Sequence, residues 1–242
     1  VIGILNGRQS DQQGFVFAIR SQEILASLQE FRKTFKEEKI LLMAKQSNEK
    51  SDQINSIKQV CNNCIQDKVD IDQLPLFDIE YLFTKIRAAS ISNKVKVSYK
   101  DNEDEKVYSF DIDLDKVEVK FPEGIESKLE VGDSLYLTLK YPPVSLYTNS
   151  EFFNLDDTKI FETVVQASMD KIYEGDKLYD CKQQTKEELQ EFIDSIPAKQ
   201  FEQIQNYLTN IPSLFYEIKY SNSKGTERVI QLQTLEDFFT FG

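Results

Sequence analysis

Histidine is missing from all 242 residues, and so is tryptophan. Without an imidazole there is no Ser–His or Cys–His base, no histidine metal ligand and no side chain poised by nature to titrate near neutrality. Without an indole the usual stacking platform for a glycan is gone. Glycine is scarce, with eight residues scattered along the chain, so no glycine-rich loop cradles a phosphate. Nothing matches a nucleophile elbow or a kinase motif set. Cysteine stops at three, Cys61, Cys64 and Cys181, an odd and low number that argues against a disulfide framework. Cys61-Asn-Asn-Cys64 has metal-ligand spacing, but a structural zinc normally takes four ligands and the chain can assemble only three thiols. The pair falls late in a helix-like stretch, 52–66, and reads as two core-facing thiols one turn apart. No apolar run approaches the ~20 residues that span a bilayer. No basic segment followed by an apolar one opens the sequence, so neither a signal peptide nor a membrane span is expected.

Positive charge is also in short supply: 29 Lys and Arg stand against 41 Asp and Glu, a formal net charge of -12. Such a surface repels phosphate, which excludes nucleic-acid binding through an extended basic face. It suits solubility and, beyond that, steering toward a basic protein partner. What the chain does have is 40% hydrophobic and 12% aromatic residues. That is globular composition, with length for one large domain or two small ones.

Residues 1–34 carry little pattern beyond a possible strand at Phe15–Ile19 and a helical turn or strand lead-in at Ser21–Leu28. A helical cluster is expected over 35–92. Its first helix has a charged opening turn, Lys36, Glu37, Glu38 and Lys39, followed by Ile40, Leu41, Met43 and Ala44. A second is one-sided, with Ile54, Ile57, Val60, Cys61, Cys64 and Ile65 recurring at three and four. Pro75 ends the connection 70–74, and Phe77, Tyr81, Leu82 and Ile86 mark a third, amphipathic helix that closes near Ser90.

An antiparallel sheet of about four strands is expected over 93–143. Val95, Val97 and Tyr99 alternate with polar residues, and so do Phe110, Ile112 and Leu114. The apolar phase flips after Asp115-Lys116, so that Val117, Val119 and Phe121 take over, which marks a bulge or a corner. Gly132-Asp133 reads as the turn of a tight hairpin, and Pro142-Pro143 ends the region. Asp111, Asp113 and Asp115 invite a calcium reading, but the glycine and glutamate that a calcium loop needs are not at the required offsets; an acidic strand face is preferred. The remainder, 144–242, reads as mixed α+β. It holds a helix over 158–169, a hairpin at Gly175-Asp176 and a helix opened by a Thr185/Glu188 capping box. A further helix follows Pro197, then two strands joined by Ser221–Gly225, and a last helical turn carries Leu235, Phe238 and Phe239. The fold class is therefore α+β, with an N-terminal helical cluster, a central antiparallel sheet and a C-terminal mixed portion.

Four motifs, in order over residues 31–240, resemble those of the T-even-type tailed-phage baseplate hub and hub-assembly proteins. They are Phe35–Ala44; Asp78-Ile-Glu-Tyr-Leu-Phe83 with Ile86-Arg87 and Ser90; Lys140-Tyr141-Pro142; and Glu188 to Ser195 with Gln200-Phe201, Pro212 and Leu235 to Phe239. Some relatives carry paired cysteines where this chain has Ser221–Gly225, so no metal site is carried over there. The resemblance implies a non-enzymatic protein, without cofactor, that works by contact with other baseplate hub proteins. It would act in the virion tail baseplate or in the infected host cytoplasm during assembly. Two alternatives stand beside it: an acidic cellular adaptor, and a hydrolase built on a carboxylate pair.

Two sets of residues are candidates for a role. Phe152 and Phe153, and Phe238, Phe239 and Phe241 near the end of the sequence, are either interface anchors or core-docking aromatics. Arg87, within the motif that holds Asp78 and Glu80, is either a helix-surface charge or a buried or interfacial cation that organises the domain junction. The two carboxylates cannot both face it on a straight helix.

Overall fold

The computed structural model describes residues 49–65 and 69–239. The strand and turn expected before residue 30, the helix expected from Lys36 and Phe241 lie outside the described residues. Within them, helix α1 (Lys50–Cys64) and helix α2 (Leu76–Ser90) are joined through a 3-10 turn at Ile71–Gln73. Pro75 is the N-cap of α2; it has no N–H to leave unsatisfied and its φ suits a helix entry. The strands that follow are all antiparallel to their partners. The α+β class expected from the sequence is thus the class observed.

The central strands do not form one sheet. Strands β1 (Lys94–Lys100) and β2 (Val107–Asp113) make a two-stranded hairpin. The chain then turns a 3-10 corner at Leu114–Lys116 and enters β3 (Glu118–Lys120), which pairs with β8 (Ser213–Ser221) from the far end of the chain. Strand β8 in turn pairs with β9 (Glu227–Leu232). The phase flip at Asp115-Lys116 is this corner: Leu114 and Val117 are both buried on either side of it. Strands β4 (Lys128–Gly132), β5 (Leu135–Leu139), β6 (Met169–Glu174) and β7 (Lys177–Asp180) form a separate four-stranded meander.

The short helix α3 (Val144–Tyr147) and helix α4 (Asp157–Ser168) lie between β5 and β6. Met169 opens β6 and does not close α4. Helix α5 (Lys186–Ser195) opens on the Thr185/Glu188 capping box. Helix α6 (Ala198–Thr209) follows Pro197, and α7 (Leu235–Phe238) ends the described chain.

Buried apolar side chains fall into two clusters. One gathers α1, α2, the end of β2, β8, β9 and α7 around Ile79, Leu82, Ile112, Leu114, Leu214 and Phe238. The other packs the meander against α4, α5 and α6 around Leu137, Leu139, Met169, Ile193 and Ile204. The second cluster lies between the two stretches of chain that build most of the first. An aromatic chain links them: Phe77 of α2 meets Tyr141 edge-on at 5.2 Å, and Tyr141 stacks on Tyr207 of α6 at 5.0 Å. Nearby, the Val144 N–H donates to the Leu74 carbonyl at 2.7 Å and Pro75 bridges Pro143.

Candidate functional site

Helix α2 is the centre of the first cluster. It was expected to be amphipathic, but only Ala89 of its fifteen residues is exposed. Leu76, Phe77, Ile79, Leu82, Phe83, Ile86 and Ala88 leave no side of the helix polar, which is the pattern of a helix buried all round. Its polar residues therefore sit in apolar surroundings. Asp78 is 3% exposed and neither carboxylate oxygen has a hydrogen-bond partner among the described residues. Burial alone pushes its pKa up to about 8, because a charged carboxylate without water or a donor is disfavoured. Glu80 is half-buried. Burial, then Asp237 and Glu236, raise its pKa to about 7.

Lys85 is a different case on the same helix. Its ammonium donates to the carbonyls of Leu114, Asp115 and Val117 at 3.1, 2.9 and 3.0 Å. Those three carbonyls belong to the corner between β2 and β3, so one lysine head satisfies the turn that redirects the chain into another sheet. Burial lowers the Lys85 pKa against the opposing pull of Asp115, Asp113 and Glu118. Sequence reading did not single Lys85 out; its partners are about thirty residues away.

Arg87 is half-buried, and its Nη1 is enclosed without a hydrogen-bond partner among the described residues. Burial lowers its pKa. Asp78 lies more than two helical turns from it and makes no ion pair with it.

The aromatic candidates separate clearly. Phe152 is 6% exposed and meets Tyr147 and Phe153 edge-on. Phe153, its neighbour, is 37% exposed. Phe238 is buried in the first cluster, and Phe239 packs edge-on against Phe83 at 5.8 Å while staying half-buried. Phe238 and Phe152 thus serve this chain's own core, and Phe153 presents its ring to solvent.

The loops at the tips of the two hairpins β1–β2 and β8–β9 hold a network that sequence reading missed. The Tyr220 hydroxyl donates to Asp101 Oδ2 at 2.5 Å, and Arg228 Nε donates to the same oxygen at 3.2 Å. Asn222 Nδ2 donates to Glu103 Oε2 at 2.7 Å, and the Ser223 hydroxyl to Asp104 Oδ2 at 2.7 Å. The Tyr220 hydrogen bond, first among several donors, holds Asp101 down to about 2. The only available signal was an acidic tip at 101–105 and a lysine and arginine near the other tip, more than a hundred residues away. The Asp111, Asp113 and Asp115 series has local placements: Asp111 and Asp113 stand opposite Lys96 and Lys94 in the hairpin register, Asp113 Oδ1 accepts from the Asp115 N–H at 3.1 Å, and Asp115 accepts from Asn93 Nδ2 at 3.0 Å.

Cys61, Cys64 and Cys181 are buried. Cys61 donates to the Ile79 carbonyl at 3.6 Å, and burial, then Cys64, push its thiol up. A thiol so shielded is a core residue in its chemistry. Among the described residues no group of three or more Cys, Asp or Glu is placed to hold a metal ion, and no helix is long and apolar enough to cross a membrane. A groove of about 290 Å³ between α1, α2 and α7 holds both Glu80 and Glu236. Its floor is Ile54, Ile57, Ile79 and Leu235, a surface better suited to an apolar side chain than to a hydrated sugar.

The family model for the T4 bacteriophage base plate protein matches residues 28–240. The chain belongs to this family. No curated protein and no solved structure matches it. The match covers both apolar clusters, so membership applies to the whole described fold. It makes the chain a phage baseplate structural protein, of a kind that generally carries no enzymatic activity. Helix α2, with Asp78 to Ser90, and the β8–β9–α7 end that packs on it both lie inside the family span.

Proposed function

We propose that this baseplate protein is a hub component or hub-assembly factor that acts by protein–protein contact and without catalysis. The family match over residues 28–240 is the observation that carries the reading. A second support is the character of the accessible candidates. Phe153 offers an aromatic ring to a partner, and the half-buried Arg87 presents the part of its side chain outside the enclosed Nη1. The net charge of -12 would steer encounter toward a basic face on the neighbouring subunit.

The raised acid Glu80 beside Glu236 is the one feature that favours a carboxylate-pair hydrolase. Buried structural acids shift in the same way, and the apolar groove floor favours contact over hydrolysis.

Mass spectrometry of purified intact virions tests the proposal. A fixed low copy number makes the protein a hub subunit. Absence from virions, with recovery from infected-cell lysate on hub proteins, makes it an assembly factor. Presence in virions at a location remote from the hub by crosslinking overturns both. Arg87→Ala should weaken recovery of hub proteins while leaving the thermal transition of the isolated chain nearly unmoved. A collapse of that transition would make Arg87 a fold residue and remove it from the interface.

A further inference from the structure

Strand β1 has a free edge, and its register says which backbone groups are open there. The Asp101 N–H donates to the Lys106 carbonyl at 2.9 Å and the Leu114 N–H to the Asn93 carbonyl at 2.7 Å. Both pairs continue the register that sets Lys94 opposite Asp113 and Lys100 opposite Val107. Hydrogen-bonded pairs recur at every second residue of an antiparallel ladder. Val95, Val97 and Tyr99 therefore bond to β2, and the N–H and C=O groups of Lys94, Lys96, Ser98 and Lys100 point away from it. Ser92 Oγ accepts from the Lys94 N–H and donates to its carbonyl, each at 3.1 Å. No described residue pairs with the outward backbone of Lys96, Ser98 or Lys100, and all three residues are exposed.

The side chains along this edge sort by face. Lys94, Lys96, Ser98 and Lys100 stand on the solvent face, whereas Val95 and Val97 are half-buried against the first cluster and Tyr99 is 36% exposed. On β2 the solvent face carries Asp113, Asp111, Ser109 and Val107, opposite those four in turn. The two aspartates offset Lys94 and Lys96 from one side, and Lys100 has no acid opposite. A strand added at the edge would lie about 4.8 Å from β1 and about twice as far from β2. Its residues opposite Lys96, Ser98 and Lys100 would share the lysine face, and the alternate ones would cover Val95, Val97 and Tyr99. The edge thus suits acidic and apolar residues in alternation, the pattern β2 already presents to the other side of β1 in Phe110-Asp-Ile-Asp-Leu-Asp115. Edge lysines guard a strand against unwanted pairing. Here they do so selectively: a second copy paired antiparallel about Ser98 would set lysine against lysine twice, while an acidic strand is attracted. The net charge of -12 opposes an acidic partner at long range, but screening at physiological salt confines that repulsion to about 8 Å, and at contact the lysines are nearest.

We propose that the free edge of β1 receives an extended segment of a neighbouring baseplate protein in which Asp or Glu alternates with apolar residues. The outward N–H and C=O groups of Lys96, Ser98 and Lys100 hold it by main-chain hydrogen bonds, and the two lysines select it by charge. This role rests on the protein acting by contact, whichever baseplate protein supplies the strand. Binding at the edge is read on the purified chain, so it can fail while the virion result stands, and the reverse.

Amide exchange of the full chain, read residue by residue by NMR, tests it. The probe is a short peptide in which Glu alternates with Val and Ile, and the control carries Lys in place of Glu. In the free chain the amides of Lys96, Ser98 and Lys100 should exchange faster than those of Val95, Val97 and Tyr99. The Glu peptide should slow the first three by about tenfold or more and leave the second three nearly unchanged, and the Lys peptide should have no effect. Ser98→Pro removes one outward N–H at a position that an edge strand tolerates. It should weaken binding of the Glu peptide by about tenfold or more with the thermal transition nearly unmoved. No protection by the Glu peptide, equal protection by both peptides, or protection without the alternation overturns the proposal. Protection of Lys96, Ser98 and Lys100 that appears in the chain alone as its concentration rises overturns it in favour of a second copy. Should Ser98→Pro fail to fold, the alternation on the unaltered chain still decides.

Discussion

Asp78 in the first turn of α2 and Asp101 at the tip of the β1–β2 hairpin are buried to nearly the same degree, 3% and 1% exposed. Their carboxyls move in opposite directions: Asp78 rises to about 8 and Asp101 falls to about 2. The difference lies in the partners. Tyr220, the Glu103 N–H and Arg228 all donate to Asp101. Among the described residues no donor reaches either oxygen of Asp78. Depth alone does not set the protonation state of a buried acid; the count of donors that reach it does. The hairpin tips are locked by ionised carboxylates, whereas the central helix carries an acid that is more stable neutral.

Replacing Asp78 with Asn should break that comparison most strongly. A folded pKa of about 8 lies above the unfolded value near 4, so the folded chain binds the extra proton between those limits. Stability from this group is then greatest below about pH 4 and declines as pH rises toward 8. Asp78→Asn removes the titration and should raise stability by roughly 1–4 kcal/mol at pH 8 while changing little at pH 4. Denaturant unfolding at the two pH values measures it. Equal effects at both would mean that Asp78 finds a donor in solution.

Lys85 sharpens the comparison with a cation whose partners are neutral. Lys85→Met keeps the aliphatic stem and removes the ammonium donor from the carbonyls of Leu114, Asp115 and Val117, of which Leu114 keeps the Val117 N–H at 3.3 Å. A loss of about 1–2 kcal/mol is expected, the low end of three broken bonds because the head is half-exposed. Amide exchange should quicken at Val117 and in β3 before it changes in the meander. A uniform change across both clusters would show that Lys85 supports the whole fold and not the corner.

Tyr220→Phe addresses the other side of the comparison. It removes the first of the donors that hold Asp101 down, so the carboxyl should climb toward its ordinary range. A depressed acid contributes stability above its unfolded pKa and loses it as pH falls through the folded value. The acid unfolding midpoint of the variant should therefore move to higher pH, with a larger loss of stability at pH 7 than at pH 3. No movement of the midpoint would mean that the tips part before Asp101 is protonated.

Much of this was legible from local pattern. The Gly132-Asp133 and Gly175-Asp176 hairpins, the Thr185/Glu188 capping box and the proline-bounded helices α2 and α6 each depend on residues a few positions apart. The division of the central strands among three sheets was not legible, because β3 finds its partner in β8 near the other end of the chain. The tip network has the same cause. Helix α2 is a different kind of miss. Its apolar residues surround the helix in the sequence itself, and reading a single stripe through Phe77, Tyr81, Leu82 and Ile86 hid the burial of Asp78. The two Phe-Phe pairs, 152–153 and 238–239, look alike as sequence, and only packing separates buried Phe152 and Phe238 from exposed Phe153.

That separation makes Phe153 the place where stability and partner contact come apart. Its ring is 37% exposed and touches Phe152 edge-on, so the fold loses little when it is removed. Phe153→Ala should change the unfolding free energy by less than about 0.5 kcal/mol, the range of ordinary surface substitutions. An aromatic anchor in an interface is worth far more, and a tenfold or greater loss of affinity for a hub partner corresponds to only about 1.4 kcal/mol. The informative result is therefore a ratio. Weakened capture with an unmoved transition places Phe153 at the interface. Unmoved capture makes it an exposed ring with no part in assembly, and the contact surface must then be sought on the acidic faces of the strands. A shifted transition would show that Phe153 supports the packing of Phe152, whatever happens to capture.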